Sequence, residues 1–286
     1  MATRAALPKY IQQPGPDGAP YISVPTGLTG LEFDLPAGVP LHLSLAHEIK
    51  ARGLTGGYFR IKDAAMAQLH YVIPALSKDD KHVAWYSDVL KPEMPGRIVD
   101  AGIICGFYKG APYYHCHGRI SDASGKSAMG HLLPEACVLS QPTRVIGHGF
   151  TGARFTRNFD PQTGFELFTP QAVAADPFEA QAQLLRIAPN TEISAALTEC
   201  CHNAGWTRAT VQGIGSLIGA HFADGRVLDS FATEFLITKG EIDLTAPEPN
   251  VALDIVLVGL DGGFKSGRLK QHSNPVLITS EIILIK

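Results

Sequence analysis

The spacing of apolar positions changes along this chain. Leu41, Leu45 and Ile49 recur at helical intervals and stop near Gly53, which predicts a helix there. Runs at 57–62, 67–73, 82–86 and 97–107 are strand-like, and another at 136–146 closes the pattern. The succession returns in the second half. FDLPAGVPLHLSLAHEIKARGLTGGYFRIKDAAMAQLHYV, from residue 33, matches LRIAPNTEISAALTECCHNAGWTRATVQGIGSLIGAHFAD, from 185. Each reads as a short strand, a Pro turn, an amphipathic helix, then Gly53-Leu-Thr or Gly205-Trp-Thr. GHLLPEACVLSQPTRVIG likewise aligns with GRLKQHSNPVLITSEIIL. Internal repetition of this kind predicts a duplicated unit. Residues 1–32, rich in Pro and Gly and without a period, read as an extended arm.

The stretch Tyr113-Tyr-His-Cys-His-Gly-Arg-Ile carries the first candidate chemistry. On a strand, alternation puts His115 and His117 on one face and Cys116 on the other. Asp122-Ala-Ser-Gly-Lys has turn composition, and the chain returns through Gly130-His131-Leu132. A hairpin of this form brings His131 back to the pair. Three neutral imidazoles suit Zn²⁺ or a similar cation, with a fourth position left for water or substrate. The alternative is two polar residues on a solvated strand face.

Composition narrows the setting. The chain has 286 residues, 45% hydrophobic and 18% charged, with formal net charge -3. No basic run or Arg-Gly-Arg-Pro element marks a DNA-binding tail, which makes nucleic acid an unfavoured partner. The five cysteines form no CxxC pair, as in a reducing cytosol. No apolar run reaches the ~20 residues of a membrane helix, and no secretory h-region opens the sequence, so a cytoplasmic protein is expected.

HCHGRISDASGKSAMGHLL resembles the signature of the PPC family (plants and prokaryotes conserved domain), although Met129 replaces the first Gly of its GGHL-type segment. The resemblance implies an α+β fold: two units, each a mainly antiparallel sheet with a packed helix. It implies His115, His117 and His131 as metal ligands, with Zn²⁺ the first candidate. It further implies a homo-oligomer, a trimer first, with the pocket near a subunit interface; a duplicated chain pairing its own halves is the other arrangement. The expected domains are 1–149 with the histidines, an insert at 150–184, and 185–286. Aligning Gly130 with Gly267 sets Arg268 opposite His131, Asp254 opposite His117 and Ala252 opposite His115. The second unit therefore lacks all three ligands, and Asp254 and Arg268 are free to pair with each other.

The insert reads as a hairpin around Asp160-Pro-Gln-Thr-Gly. Arg154 and Arg157 on it are candidates to clamp a carboxylate, against a plain flap with solvated arginines. Tyr113 and Glu166 are the candidate proton partners. Three functions follow. The first is a metal-dependent enzyme of hydrolase or lyase type, acting on a small anionic organic molecule. The second is a DNA-associated regulator, as in plant relatives; their partner-binding motif survives only as Thr233-Glu-Phe-Leu-Ile, without its Arg. The third is a non-catalytic ligand-binding protein or scaffold.

Overall fold

The computed structural model describes residues 10–174 and 176–286, so residues 1–9 of the expected arm lie outside the described residues. The rest of that arm is mostly not an arm. Residues 21 to 35 form a 15-residue strand, β1 (Tyr21–Leu35), at the middle of the sheet order. Its first six residues pair with β9 (Ala182–Ile187) and the remainder with β6 (Thr143–Thr151). Pro25 is tolerated here because at that position β1 has a ladder on one side only. Residues 10–20 do pack down, on this same chain: Gly15 N–H donates to the Gln162 carbonyl (2.9 Å) and Gln13 Nε2 to that of Leu277 (2.9 Å).

The first half contains α1 (Leu41–Ala51), β2 (Gly57–Gln68), β3 (Gly96–Tyr108), β4 (Ala111–Ser121) and β5 (Ser127–Leu132), then β6. The insert is an antiparallel hairpin, β7 (Ala153–Phe159) and β8 (Glu166–Ala172), as its turn residues predict. The second half runs from β9 through α2 (Ile193–Asn203), β10 (Arg208–Leu217), β11 (Thr233–Asp243), β12 (Asn250–Gly259), β13 (Phe264–Arg268) and β14 (Val276–Ile285).

The strands join one 16-stranded, mostly antiparallel sheet. Across it the first half reads β1-β6-β2-β3-β4-β5, and the second reads β9-β14-β10-β11-β12-β13. The α+β expectation is corrected toward sheet: among the described residues only two α-helices occur, each of 11 residues. Antiparallel hairpins link β3 to β4, β4 to β5, β7 to β8, β11 to β12 and β12 to β13, and such links need no helical crossover.

The sheet bends so that its two halves face each other. Tyr58, Ile104 and Met129 from one half meet Ile214, Leu236 and Val256 from the other in a shared core. The outer faces are covered separately. α1 packs Leu41, Leu45 and Ile49 against Phe59, Ile103 and Cys116. α2 packs Leu197 and Cys201 against Phe235 and Ile255. Both faces of the central strands are therefore buried, which is why they read as near-continuous apolar runs. All five cysteines are free, buried core residues.

The seam between the halves is tight. A Cβ on Gly102 would lie 2.8 Å from Leu236 Cδ1, across the seam, and 2.4 Å from the Tyr58 hydroxyl. Arg60 crosses it to donate to the Ile237 carbonyl at 2.9 Å. Gly102→Val is therefore expected to cost about 1–3 kcal/mol through overpacking. Gly30→Ala, where a Cβ meets nothing within 4 Å among the described residues, is the control and should be near neutral. Denaturant midpoints of the two variants against wild type test this.

Candidate metal centre

β4 and β5 pair so that His117 stands directly opposite His131. The turn between them is closed by Asp122, whose carboxylate accepts from the backbone N–H of Ser124 and of Lys126, each at 2.9 Å. The Ser124 hydroxyl, followed by those backbone groups, holds the Asp122 carboxyl below its usual range. Gly125 takes φ +82°, the left-handed conformation this turn requires. Alternation does the rest: Cys116 enters the core under α1, while His117 turns to the seam and is fully buried.

Across the seam, β11 contributes Glu234. Its carboxylate and one ring nitrogen from each of His115, His117 and His131 lie within 4.8 Å of one another. His115 Nε2 and His117 Nε2 are 2.9 Å apart, and His117 Nε2 is 2.5 Å from Glu234 Oε2. The His117 Nδ1–H donates to the Phe235 carbonyl at 2.8 Å, which directs the lone pair of Nε2 into the cluster. His115 Nδ1 lies 3.0 Å from Glu281 Oε2, though off the hydrogen-bonding direction. Glu281, on β14, is 1% exposed, and its Oε1 accepts from the Thr279 hydroxyl at 3.1 Å.

Electrostatics follow from this packing. Burial, then the neighbouring imidazoles and Arg157, push His131 well below the ordinary histidine range, so it stays neutral with a lone pair to give. Burial also opposes charge on His117, but the charge of Glu234, its hydrogen bond and the Phe235 carbonyl carry that imidazole upward. Two Nε2 atoms at 2.9 Å cannot both present lone pairs without a proton or a cation between them. Three imidazoles and one carboxylate are a donor set that Zn²⁺ accepts, and the buried Nδ1 of His131 has no hydrogen-bond partner among the described residues. The residues fit a cation of this type.

A cavity of about 330 Å³ opens onto the cluster, lined by His115, His131, Glu234 and Glu281 on that side. Tyr113, Arg157, Glu166 and Phe168 form another wall, so Tyr113, Arg157 and Glu166 of the sequence candidates border the same space. Arg154 does not; its guanidinium lies 5.0 Å over the ring of Phe107, and its buried Nε has no hydrogen-bond partner among the described residues. The third wall comes from the 82–86 strand-like run. Trp85 stacks on Phe165 with centroids 5.3 Å apart, and Tyr86 stands edge-on to His131 at 5.1 Å. Burial, then the charges of Glu234 and Glu281, hold the Tyr86 phenol well above its usual range.

Sequence reasoning missed Glu234, Glu281 and Tyr86. A signal for the first two was present: each is a lone carboxylate inside an apolar strand, Phe231-Ala-Thr-Glu-Phe-Leu-Ile and Val276-Leu-Ile-Thr-Ser-Glu-Ile-Ile-Leu. A carboxylate in such a run needs a buried partner. In the second half, the positions aligned with His117 and His131 hold Asp254 and Arg268. They sit opposite each other in register and form a two-point ion pair at 2.6 and 2.8 Å.

No family model and no curated protein matches this chain. Solved structures with similar folds do. A metal-containing protein from Archaeoglobus fulgidus is 20% identical with a TM-score of 0.40, over 50% of this chain and 94% of its own. A plant- and prokaryote-conserved (PPC) protein from Pyrococcus horikoshii is 15% identical with a TM-score of 0.40, over 52% and 96%. A candidate DNA-binding protein from Ralstonia eutropha JMP134 is 17% identical with a TM-score of 0.39, over 53% and 96%. Each likeness spans about half of this chain and nearly all of the other protein.

Proposed function

We propose that this chain is a metal-dependent enzyme of hydrolase or lyase type, formed from two PPC-type units and acting on a small anionic organic molecule. The observation that carries the reading is the convergence of His115, His117, His131 and Glu234 at the inner end of an accessible cavity. The matching strand order of the two halves supports the two-unit reading. Zn²⁺ is the first candidate metal because imidazole and carboxylate together suit it.

In this reading His115, His117 and His131 hold the cation, with the Phe235 carbonyl orienting the His117 ring and the Glu281 carboxylate near His115. A cation so held polarises a carbonyl and lowers the pKa of water. Glu234 has contact with His117 on one side and the cavity on the other, so it is placed to bind the cation or to take a proton. Tyr86 keeps its proton at neutral pH and faces the same space, which suits it to donate one. Tyr113 contributes its ring beneath Arg157, whose guanidinium is 4.6 Å from the ring centre.

Metal analysis by mass spectrometry, on protein purified without chelator, tests the reading. About one cation per chain is expected, as for a single mononuclear site. Stripping it should lower the thermal midpoint, because a ligand present at 1,000 times its Kd stabilises the native state by about 4 kcal/mol. Protein that carries no metal, takes up none from added Zn²⁺ and melts identically with and without chelator would sink the proposal.

A further inference from the structure

Arg157 is held in an unusual way for a residue beside a cavity. Its guanidinium lies over two tyrosine rings, 4.9 Å from Tyr108 and 4.6 Å from Tyr113. Its Nε–H donates to the Glu166 carbonyl at 3.2 Å, and the Glu166 carboxylate approaches that same nitrogen at 3.8 Å. Among the described residues no acceptor engages the two terminal nitrogens, and the side chain borders the cavity. The fork is thus held by stacking, while its outer donors take no protein acceptor among the described residues and, on a side chain 29% exposed, are open to a ligand. Lys109, whose ammonium lies 4.9 Å from the centre of the same Tyr108 ring, adds positive charge nearby.

The remainder of the cavity is of opposite character. Trp85, Phe165, Phe168, Val89 and Ile278 give it an apolar lining. Its volume of about 330 Å³ is at the lower end for ligand sites and corresponds to roughly ten waters. A small hydrophilic acid would leave the aromatic wall in contact with trapped water. A purely apolar molecule would leave the guanidinium fork unpaired.

From this arrangement we infer the substrate class: a compact carboxylic acid with an aromatic or branched apolar body, of about ten non-hydrogen atoms. Its carboxylate sits on Arg157, its body lies against Trp85, Phe165 and Phe168, and a second oxygen function, carbonyl, hydroxyl or lactone, faces the histidines. The inference rests on the metal-dependent reading only for that second oxygen. Two-point pairing of carboxylate with guanidinium is the strong form of this contact, and lysine does not reproduce it.

Calorimetric titration of the zinc-loaded full chain with 3-phenylpropionate tests the assignment, with propionate and 3-phenylpropan-1-ol as comparators. Both comparators are expected to bind at least tenfold more weakly. Arg157→Gln should weaken 3-phenylpropionate at least tenfold while leaving zinc content and thermal midpoint in place. Arg157→Lys should fall between that variant and wild type, since it keeps the charge and loses the fork. Binding of propionate or of the alcohol as tight as that of the aryl acid would overturn the inference, as would indifference to Arg157→Gln. The same titration on metal-free protein separates this result from the metal question. Selectivity for the aryl acid without any zinc uptake supports the substrate class while refuting the metal. Zinc uptake without that selectivity does the reverse.

Discussion

His117→Ala is expected to reduce bound zinc from about one per chain to less than about a tenth, at a free zinc concentration that saturates wild type. The direction follows from position. His117 is fully buried, its Nε2 is the atom closest to both His115 and Glu234, and its ring is fixed by the Phe235 carbonyl. Even the outer-shell partners of metal ligands cost 10–100-fold in affinity when removed, so loss of a central ligand should exceed 100-fold. The variant should also lose about 1–3 kcal/mol of stability in chelator, because the Phe235 carbonyl is left buried without its donor. Glu234→Gln separates the two uses of the carboxylate. If Glu234 binds the cation, affinity falls about 10–100-fold, between wild type and His117→Ala. If it only handles protons, zinc stays and turnover of any substrate found is lost. Equilibrium competition against a chromogenic zinc chelator reads all three proteins. Retention of zinc by His117→Ala at wild-type affinity would remove the cluster as the site.

The histidine half of this site could be read from the sequence because its geometry is local. Alternation on one strand, a turn with Asp and Gly, and a return strand are enough to set His115, His117 and His131 together, and the structure brings them together through the β4–β5 pairing. The Asp254–Arg268 pair could be read for the same reason, since it occupies the equivalent cross-strand position. Glu234 is more than a hundred residues away and reaches the cluster only because the sheet folds back on itself. No local period encodes that bend. The strand β1 was hidden differently. Pro25, Gly27 and Gly30 broke the expected pattern, yet a strand flanked by β9 and β6 gains its ladder from its neighbours rather than from its own propensity. The mainly antiparallel sheet was legible from the strand-like runs, whereas the α+β label gave the clear helix signal at 41–49 more weight than two 11-residue helices carry.

Asp160→Ala should be the most destabilising single change outside the cluster, at about 3–5 kcal/mol. Asp160 opens the hairpin turn directly after strand β7 and is 8% exposed. One carboxylate oxygen accepts from Arg186 at 3.0 Å, and the other accepts from the backbone N–H and hydroxyl of Thr163 at 3.1 and 2.7 Å. Arg186, on β9, is 7% exposed, so removing the carboxylate strands a buried guanidinium. Replacing both partners with apolar or neutral groups should recover much of the loss. Asp160→Asn with Arg186→Met is expected to be more stable than Asp160→Ala alone, since an intact buried pair gains little over a well-packed apolar one. Guanidinium unfolding measures both. A loss below about 1 kcal/mol for Asp160→Ala would place this pair among the weak surface bridges instead. The consequence reaches the cavity, because the same hairpin carries Arg157, Phe165 and Phe168. Loosening its turn should weaken 3-phenylpropionate binding while the histidines, held on β4 and β5, keep their cation. Stability and carboxylate binding would then fall together at constant zinc content, whereas His117→Ala lowers zinc content.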